Sequence, residues 1–132
     1  MKKLISLIQK RTPLTHSRGL LGEALAASYL KKQGYKILKK RFRYRLGEID
    51  LIAQKKDQLA FVEVKTRSKA WKHTALEAIG PKKLLALEGT AYYFLENHPE
   101  ITQCIKEMIF LALTVSLEKP KPKIQVTRLQ AY

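Results

Sequence analysis

Asp50, Glu63 and Lys65 stand in two short runs, GEIDLIAQ (residues 47–54) and QLAFVEVK (residues 58–65), that otherwise read as β-strands. Two carboxylates can hold a hard divalent cation, and an ammonium beside them can steady charge developing on a phosphate. Whether these groups meet depends on the elements that carry them. The connection KKDQ suits a hairpin with a two-residue loop at Lys56-Asp57, which pairs Lys55 with Gln58. Counting back from that turn sets Asp50 opposite Glu63 and Glu48 opposite Lys65. Opposed residues have Cβ atoms about 4.5–5.5 Å apart, where like charges destabilise. A cation between Asp50 and Glu63 relieves that repulsion, and Mg²⁺ (or Mn²⁺) suits two carboxylates with room for waters and phosphate oxygens. Alternation puts Glu48, Asp50 and Ile52 on one face of the first strand, and Phe61, Glu63 and Lys65 on one face of the second. The other faces, with Ile49, Leu51 and Ala53 and with Ala60, Val62 and Val64, are apolar. They are expected to pack on a helix, leaving the acidic face to a cleft or to solvent.

A further acid comes from SRGLLGEALAASYLKKQGY (residues 17–35), which reads as a helix capped by Ser17 and stopped by Gly34 after Lys31 and Lys32. Leu21, Leu25 and Tyr29 are its expected inner stripe. Glu23 heads the row Ala26, Ala27 and Leu30, so it points at the protein and is a fourth candidate beside Asp50, Glu63 and Lys65. Ordinary alternatives stand beside these readings. Glu23 can serve the helix start, where negative charge is favourable. Glu48 and Lys65 can form a plain cross-strand ion pair, and a charged hairpin face is commonly solvated. A solvated face, however, has no reason to oppose two acids in register.

The remaining elements follow from the same cues. YKILKKRFRYR reads as a strand with basic residues interleaved among aromatics. TRSKAWKHTALEAIG reads as a loop running into a helical turn. A second helix starts at Gly80-Pro81 and runs to about Asn97, where His98-Pro99 ends it. EMIFLALTVSL and KIQVTRL read as strands joined by the turn EKPKPK. The order αβββαββ predicts an α/β fold, a mixed sheet with a helix on each face. Residues 1–17 are read as a basic arm or short helix, and 18–132 as one domain.

Twenty-six Lys and Arg against eleven Asp and Glu, a net charge of +15 over 132 residues, point to a polyanionic partner. The basic residues are spread through the fold and do not line one amphipathic helix, which favours nucleic acid over a membrane surface. Arg41, Arg43, Arg45, Arg67, Lys69 and Lys72 are the candidate contacts. Cys104 is the single cysteine, so neither an internal disulfide nor a cysteine pair for zinc is available, and a reducing cytoplasm fits. The start MKKLISLIQKRTP lacks the long apolar core of a signal peptide, and nothing approaches a membrane span. His16, His73 and His98 are scattered, and there is no P-loop or Gly-rich dinucleotide turn. The AYYFL segment of the second helix reads as core, with an exposed docking patch as the alternative.

GLLGEALAASYLKKQGYKIL, GEIDLIA and FVEVKTR resemble the small bacterial proteins called YraN-like, which are similar to archaeal Holliday junction resolvases and to the broad nuclease superfamily named for its Pro-Asp, Asp/Glu-x-Lys signature. The resemblance runs from about Gly19 to the C-terminus and is most specific from Gly19 to Arg67. It implies a restriction-endonuclease-like mixed sheet with flanking helices and a Mg²⁺-dependent endonuclease site. Asp50 and Glu63 would be metal ligands, Lys65 the catalytic lysine and Glu23 an accessory acid and ligand. DNA, branched DNA included, is the substrate so implied; the residues alone leave DNA and RNA open. A branched junction would need two sites and so a homodimer. Departures are Ile49 in place of the signature proline, and Arg41, His73 and Met108 near positions where the family often has Asn, Gly and Asp. The alternative is a nucleic-acid-binding protein without catalysis, on a degenerate nuclease fold; a scaffolding protein that docks through the second helix is a further rival.

Overall fold

In the computed structural model, which describes residues 14–45, 47–67, 79–118 and 120–131, the chain runs α1 (Leu14–Lys32), β1 (Lys36–Tyr44), β2 (Gly47–Lys55), β3 (Gln58–Arg67), α2 (Pro81–Asn97), α3 (Pro99–Thr102), β4 (Glu107–Ser116) and β5 (Lys123–Ala131). Apart from the four-residue α3 this is the expected order. The strands form one sheet in the order β1-β2-β3-β4-β5. All neighbours are antiparallel except β3 and β4, which run parallel from Gln58↔Glu107 to Arg67↔Ser116. A parallel pair needs a crossover, and α2 lies in it. The mixed sheet with flanking helices is consistent with a restriction-endonuclease-like fold.

Each face of the sheet has its own helix. Ala26, Ala27 and Leu30 of α1 pack on Leu51, Ala53, Ala60 and Val62, and on the alternate residues Ile109, Leu111, Leu113 and Val115 of β4. Leu87, Ala91 and Phe94 of α2 pack on Ile49, Ile52, Leu59, Phe61 and Phe110. The hairpin β2–β3 is therefore buried on both sides along most of its length. That corrects the expectation of one apolar and one acidic face: strands inside a sheet with parallel pairing are covered twice.

Helix ends follow local chemistry. Gly34 has φ +98. Its N–H bonds to the Lys31 carbonyl and that of Tyr35 to the Leu30 carbonyl, both at 3.0 Å, the left-handed stop that glycine permits. The start differs from expectation, because α1 is already helical at Leu14 and Ser17 lies inside it. An interior serine costs only about 0.5 kcal/mol relative to alanine, so the helix continues through it and past the expected boundary at residue 17. The buried row is also Ala26, Ala27 and Leu30, with Leu25 and Tyr29 packed at its margin, in place of the Leu21, Leu25, Tyr29 stripe. The shorter alanines let α1 lie closer to the sheet. In α2 the expected start and end are observed, with Gly80 before Pro81. Ala91 and Phe94 of AYYFL are fully buried, while Tyr92 is 48% exposed.

Candidate active site

The β2–β3 ladder has the predicted register, from Lys55↔Gln58 to Leu51↔Val62. The next rung would be Asp50 with Glu63, and there the ladder is replaced: the Val64 N–H donates to Asp50 Oδ2 at 2.7 Å. Strand alternation breaks at the same place. Ile49 and Ile52, which strict alternation would put on opposite faces, both pack under α2. Ile49 therefore leaves the face it was expected to share with Leu51 and Ala53. On β1 the rungs Lys40↔Leu51 and Phe42↔Ile49 bracket Arg41 and Asp50, and Arg41 has φ +52. A left-handed non-glycine residue costs about 1–2 kcal/mol, and here it lies beside the kink that turns Asp50 out of the ladder.

Two glycines let both helices close on this kink. A Cβ on Gly22 of α1 would stand 1.8 Å from Thr66 Oγ1, and one on Gly47 of β2 would stand 2.0 Å from Thr90 Oγ1 and 2.8 Å from the Ala86 carbonyl. Each glycine immediately precedes an acid, Glu23 or Glu48. The glycines are needed for close approach and not for unusual dihedrals.

Glu63 is 5% exposed, and two ammonium groups share its Oε1: Lys83 at 2.6 Å and Lys65 at 3.3 Å. Lys65 is thus paired within its own strand and not with Glu48, which instead binds Arg43 across the β1–β2 rung at 3.2 Å. The kink is the reason, since Glu48 lies beyond it and follows β1. Burial, joined by the charges of Glu63, Glu23 and Glu48 and opposed by the Val64 hydrogen bond, pushes Asp50 up to about 7. Burial and the neighbouring Lys83 pull Lys65 below the ordinary lysine range. Burial pulls Lys83 down as well, but its hydrogen bond to Glu63 and the charges of Glu63 and Asp50 move it the other way, above the ordinary lysine range. Sequence reasoning missed Lys83. It lies in the first turn of α2, beyond a segment without pattern, and no spacing rule connects it to Glu63.

Asp50 and Glu63 line two clefts. One, of about 650 Å³, is lined also by Gly47, Glu48, Lys82, Lys83, Ala86 and Leu87. The other, of about 440 Å³, is lined also by Arg18, Glu23, Lys65, Thr66 and Arg67. Glu23 therefore lines one cleft with the acid pair. Its Oε2 is held by Arg41 Nε at 2.9 Å.

The expected basic contacts divide. Arg41 and Arg43 are neutralised by Glu23 and Glu48. The Arg45 guanidinium lies 5.1 Å from the centre of the Tyr44 ring, which stacks on Tyr93 at 3.7 Å. Arg67 borders the second cleft, its Nη1 on the Thr66 carbonyl at 3.0 Å. Lys69 and Lys72 lie outside the described residues, as does His73. His98 is structural: its ring stacks on Phe94 at 4.0 Å and its Nδ1 lies 2.7 Å from the Phe94 carbonyl. An unforeseen groove of about 590 Å³ runs beside β1, lined by Lys31, Lys36, Lys39, Lys40 and Tyr35 with no acid among its walls.

The donor set fits a hard divalent cation in part. A half-buried carboxylate raised to about 7 by burial and by the charges of Glu63, Glu23 and Glu48 is one that a cation returns to its ionised form. Asp50 and Glu63 would be its ligands, with water and phosphate oxygens completing the shell as Mg²⁺ prefers. Among the described residues no three of His, Cys, Asp and Glu stand close enough to enclose an ion by themselves, and no helix is long and apolar enough to cross a membrane.

Comparison with known proteins agrees with the sequence resemblance at the level of the family. A protein of Syntrophomonas wolfei is 42% identical over 106 residues, which cover 80% of this chain and 90% of that one. One of Alkaliphilus oremlandii is 47% identical over the same length and the same shares. One of Rhodopseudomonas palustris is 42% identical over 98 residues, 74% of this chain and 72% of that one. All three are described as UPF0102 proteins. Residues 22–116, which hold Glu23, Asp50, Glu63, Lys65 and Lys83 together, match the family model, and the chain belongs to the Uncharacterised protein family UPF0102.

Proposed function

We propose that this protein is a Mg²⁺- or Mn²⁺-dependent endonuclease that hydrolyses phosphodiester bonds in nucleic acid, DNA and branched DNA foremost, in the cytoplasm. One observation carries the reading: β2 and β3 part after the Leu51↔Val62 rung, and the first two residues past it are carboxylates, half-buried Asp50 and buried Glu63, with the Lys65 ammonium beside them. Such an arrangement costs stability and has no packing purpose.

The residues divide the work. Asp50, which lines both clefts, is oriented by the Val64 N–H on its Oδ2. Glu63 is held by the two lysines on Oε1. Lys65 is the cation placed to stabilise charge that grows on a phosphate only in the transition state. Its lowered pKa also lets it orient or exchange a proton of an attacking water more readily than a surface lysine. Glu23, which lines one cleft with Asp50, Glu63 and Lys65, adds its negative charge to the field at Asp50. A bound divalent ion would supply charge neutralisation at the phosphate and a more acidic water. The β1 lysine groove, next to Arg41 and the kink, suits the backbone of a nucleic acid leaving the site.

Labelled duplex, single strand, flap and four-way junction, incubated with Mg²⁺ or Mn²⁺, form the test. Metal-dependent cleavage of any of these that Glu63→Gln abolishes is the expected result; no cleavage of any of them by the wild type refutes the proposal. A homodimer follows only if the junction is the preferred substrate. The second reading, a nucleic-acid binder without catalysis, is favoured by the fact that Glu63 already has two cationic partners within the chain.

A further inference from the structure

Lys83 is out of place as a helix residue. It is the third residue of α2, whose first turn holds no acid, and a cation there opposes the positive end of the helix dipole. Nothing in the helix rewards it. Its partner is across the cleft: Glu63 Oε1 at 2.6 Å, a closer contact than the 3.3 Å from Lys65 to the same oxygen. The two lysines differ in freedom. Lys65 is anchored two residues from Glu63 in the same strand and its side chain is 23% exposed; Lys83 reaches in from another element and is 43% exposed. Four methylene groups allow it to withdraw toward solvent without moving the backbone.

We infer that Lys83 is an internal counter-cation that holds Glu63 until a divalent metal ion displaces it, so that this lysine sets the metal affinity of the site. The inference rests on the proposed role of Asp50 and Glu63 as metal ligands. It accounts for two facts that otherwise conflict, a carboxylate pair suited to a metal and a Glu63 that is already neutralised. A bound metal ion and the Lys83 ammonium compete for one carboxylate, and their binding is linked with opposite sign. Lys83 is in this sense a positioning residue: it keeps Glu63 in the site while the metal is absent and yields it when the metal arrives.

Mn²⁺ binding to the full chain, followed by titration calorimetry without nucleic acid, tests this. Lys83→Ala is expected to bind Mn²⁺ about five- to tenfold more tightly than wild type, the factor that corresponds to losing one close, half-buried competing contact. Lys82→Ala is the control. Lys82 lines the same cleft, so its removal takes one positive charge from that cleft without freeing Glu63, and no more than about a twofold change is expected. Lys83→Arg should return the affinity toward the wild-type value. If wild type binds Mn²⁺ and Lys83→Ala binds it no more tightly, or if Lys82→Ala tightens binding as much, the inference is overturned while the metal site stands. If neither wild type nor Lys83→Ala binds Mn²⁺, both are overturned.

Discussion

Asp50→Asn keeps the shape of the side chain and an oxygen to accept the Val64 N–H, and removes one charge from the acid pair. Asp50 has its pKa raised from 3.8 to about 7 on folding. A carboxyl whose pKa is higher in the folded state binds its proton more tightly there. Its contribution to stability is complete below about 3.8, the unfolded value, and is lost as the pH rises through about 7. Three pKa units correspond to about 4 kcal/mol. Asp50 is half-buried, and solvent screening leaves about 2 kcal/mol of this as the cost of ionising it in the metal-free protein. Asp50→Asn is spared that cost. Without metal, the variant should match wild type near pH 4 and exceed it by about 2 kcal/mol above pH 7.5, roughly 7 °C in Tm for a domain of this size. Urea or thermal unfolding of both proteins across that range in EDTA is the assay. Saturating Mn²⁺ should reverse the order, since ligand at about 100 times Kd adds about 2.7 kcal/mol to wild type alone. A stability difference that does not change with pH, or a variant less stable than wild type at pH 8 in EDTA, refutes the reasoning.

Other outcomes follow from the same structure. Lys65→Ala should leave nucleic-acid affinity nearly unchanged, as one of 26 basic residues, yet slow cleavage by about 10²–10³; single-turnover assays beside fluorescence anisotropy separate the two. Replacing Lys36, Lys39 and Lys40 by Ala should flatten the dependence of log affinity on log salt by about one unit per lost phosphate contact. Arg43→Ala should change that slope less, because Glu48 already pairs with Arg43; equal slopes for the lysine variant and wild type count against the groove. Gly47→Ala should cost about 1–3 kcal/mol, measured by urea unfolding, because the new methyl would press on the Ala86 carbonyl of α2, which cannot turn away as a side chain can.

Much of this molecule is legible in local sequence. The Lys56-Asp57 turn alone determines the β2–β3 register, because strand pairing counts outward from a tight loop. Gly34 and Pro81 announce helix ends through dihedral restrictions that act within a turn. Glu23 was traceable to the site by the apolar row behind it. What lay beyond local rules was decided by contacts between distant elements. The kink at Asp50 depends on β1, through Arg41 and Phe42, and on two helices pressing at Gly22 and Gly47. Without it the carboxylate would have stayed in the ladder and Glu48 would have faced Lys65. Lys83 reaches Glu63 only because the crossover after β3 returns α2 over that end of the sheet. The sequence by itself determined which residues carry charge and how neighbouring strands count against each other. Tertiary structure alone decided which charges meet, because the burial that makes an acid pair costly, and a bound cation worthwhile, arises only when both faces of the sheet are covered.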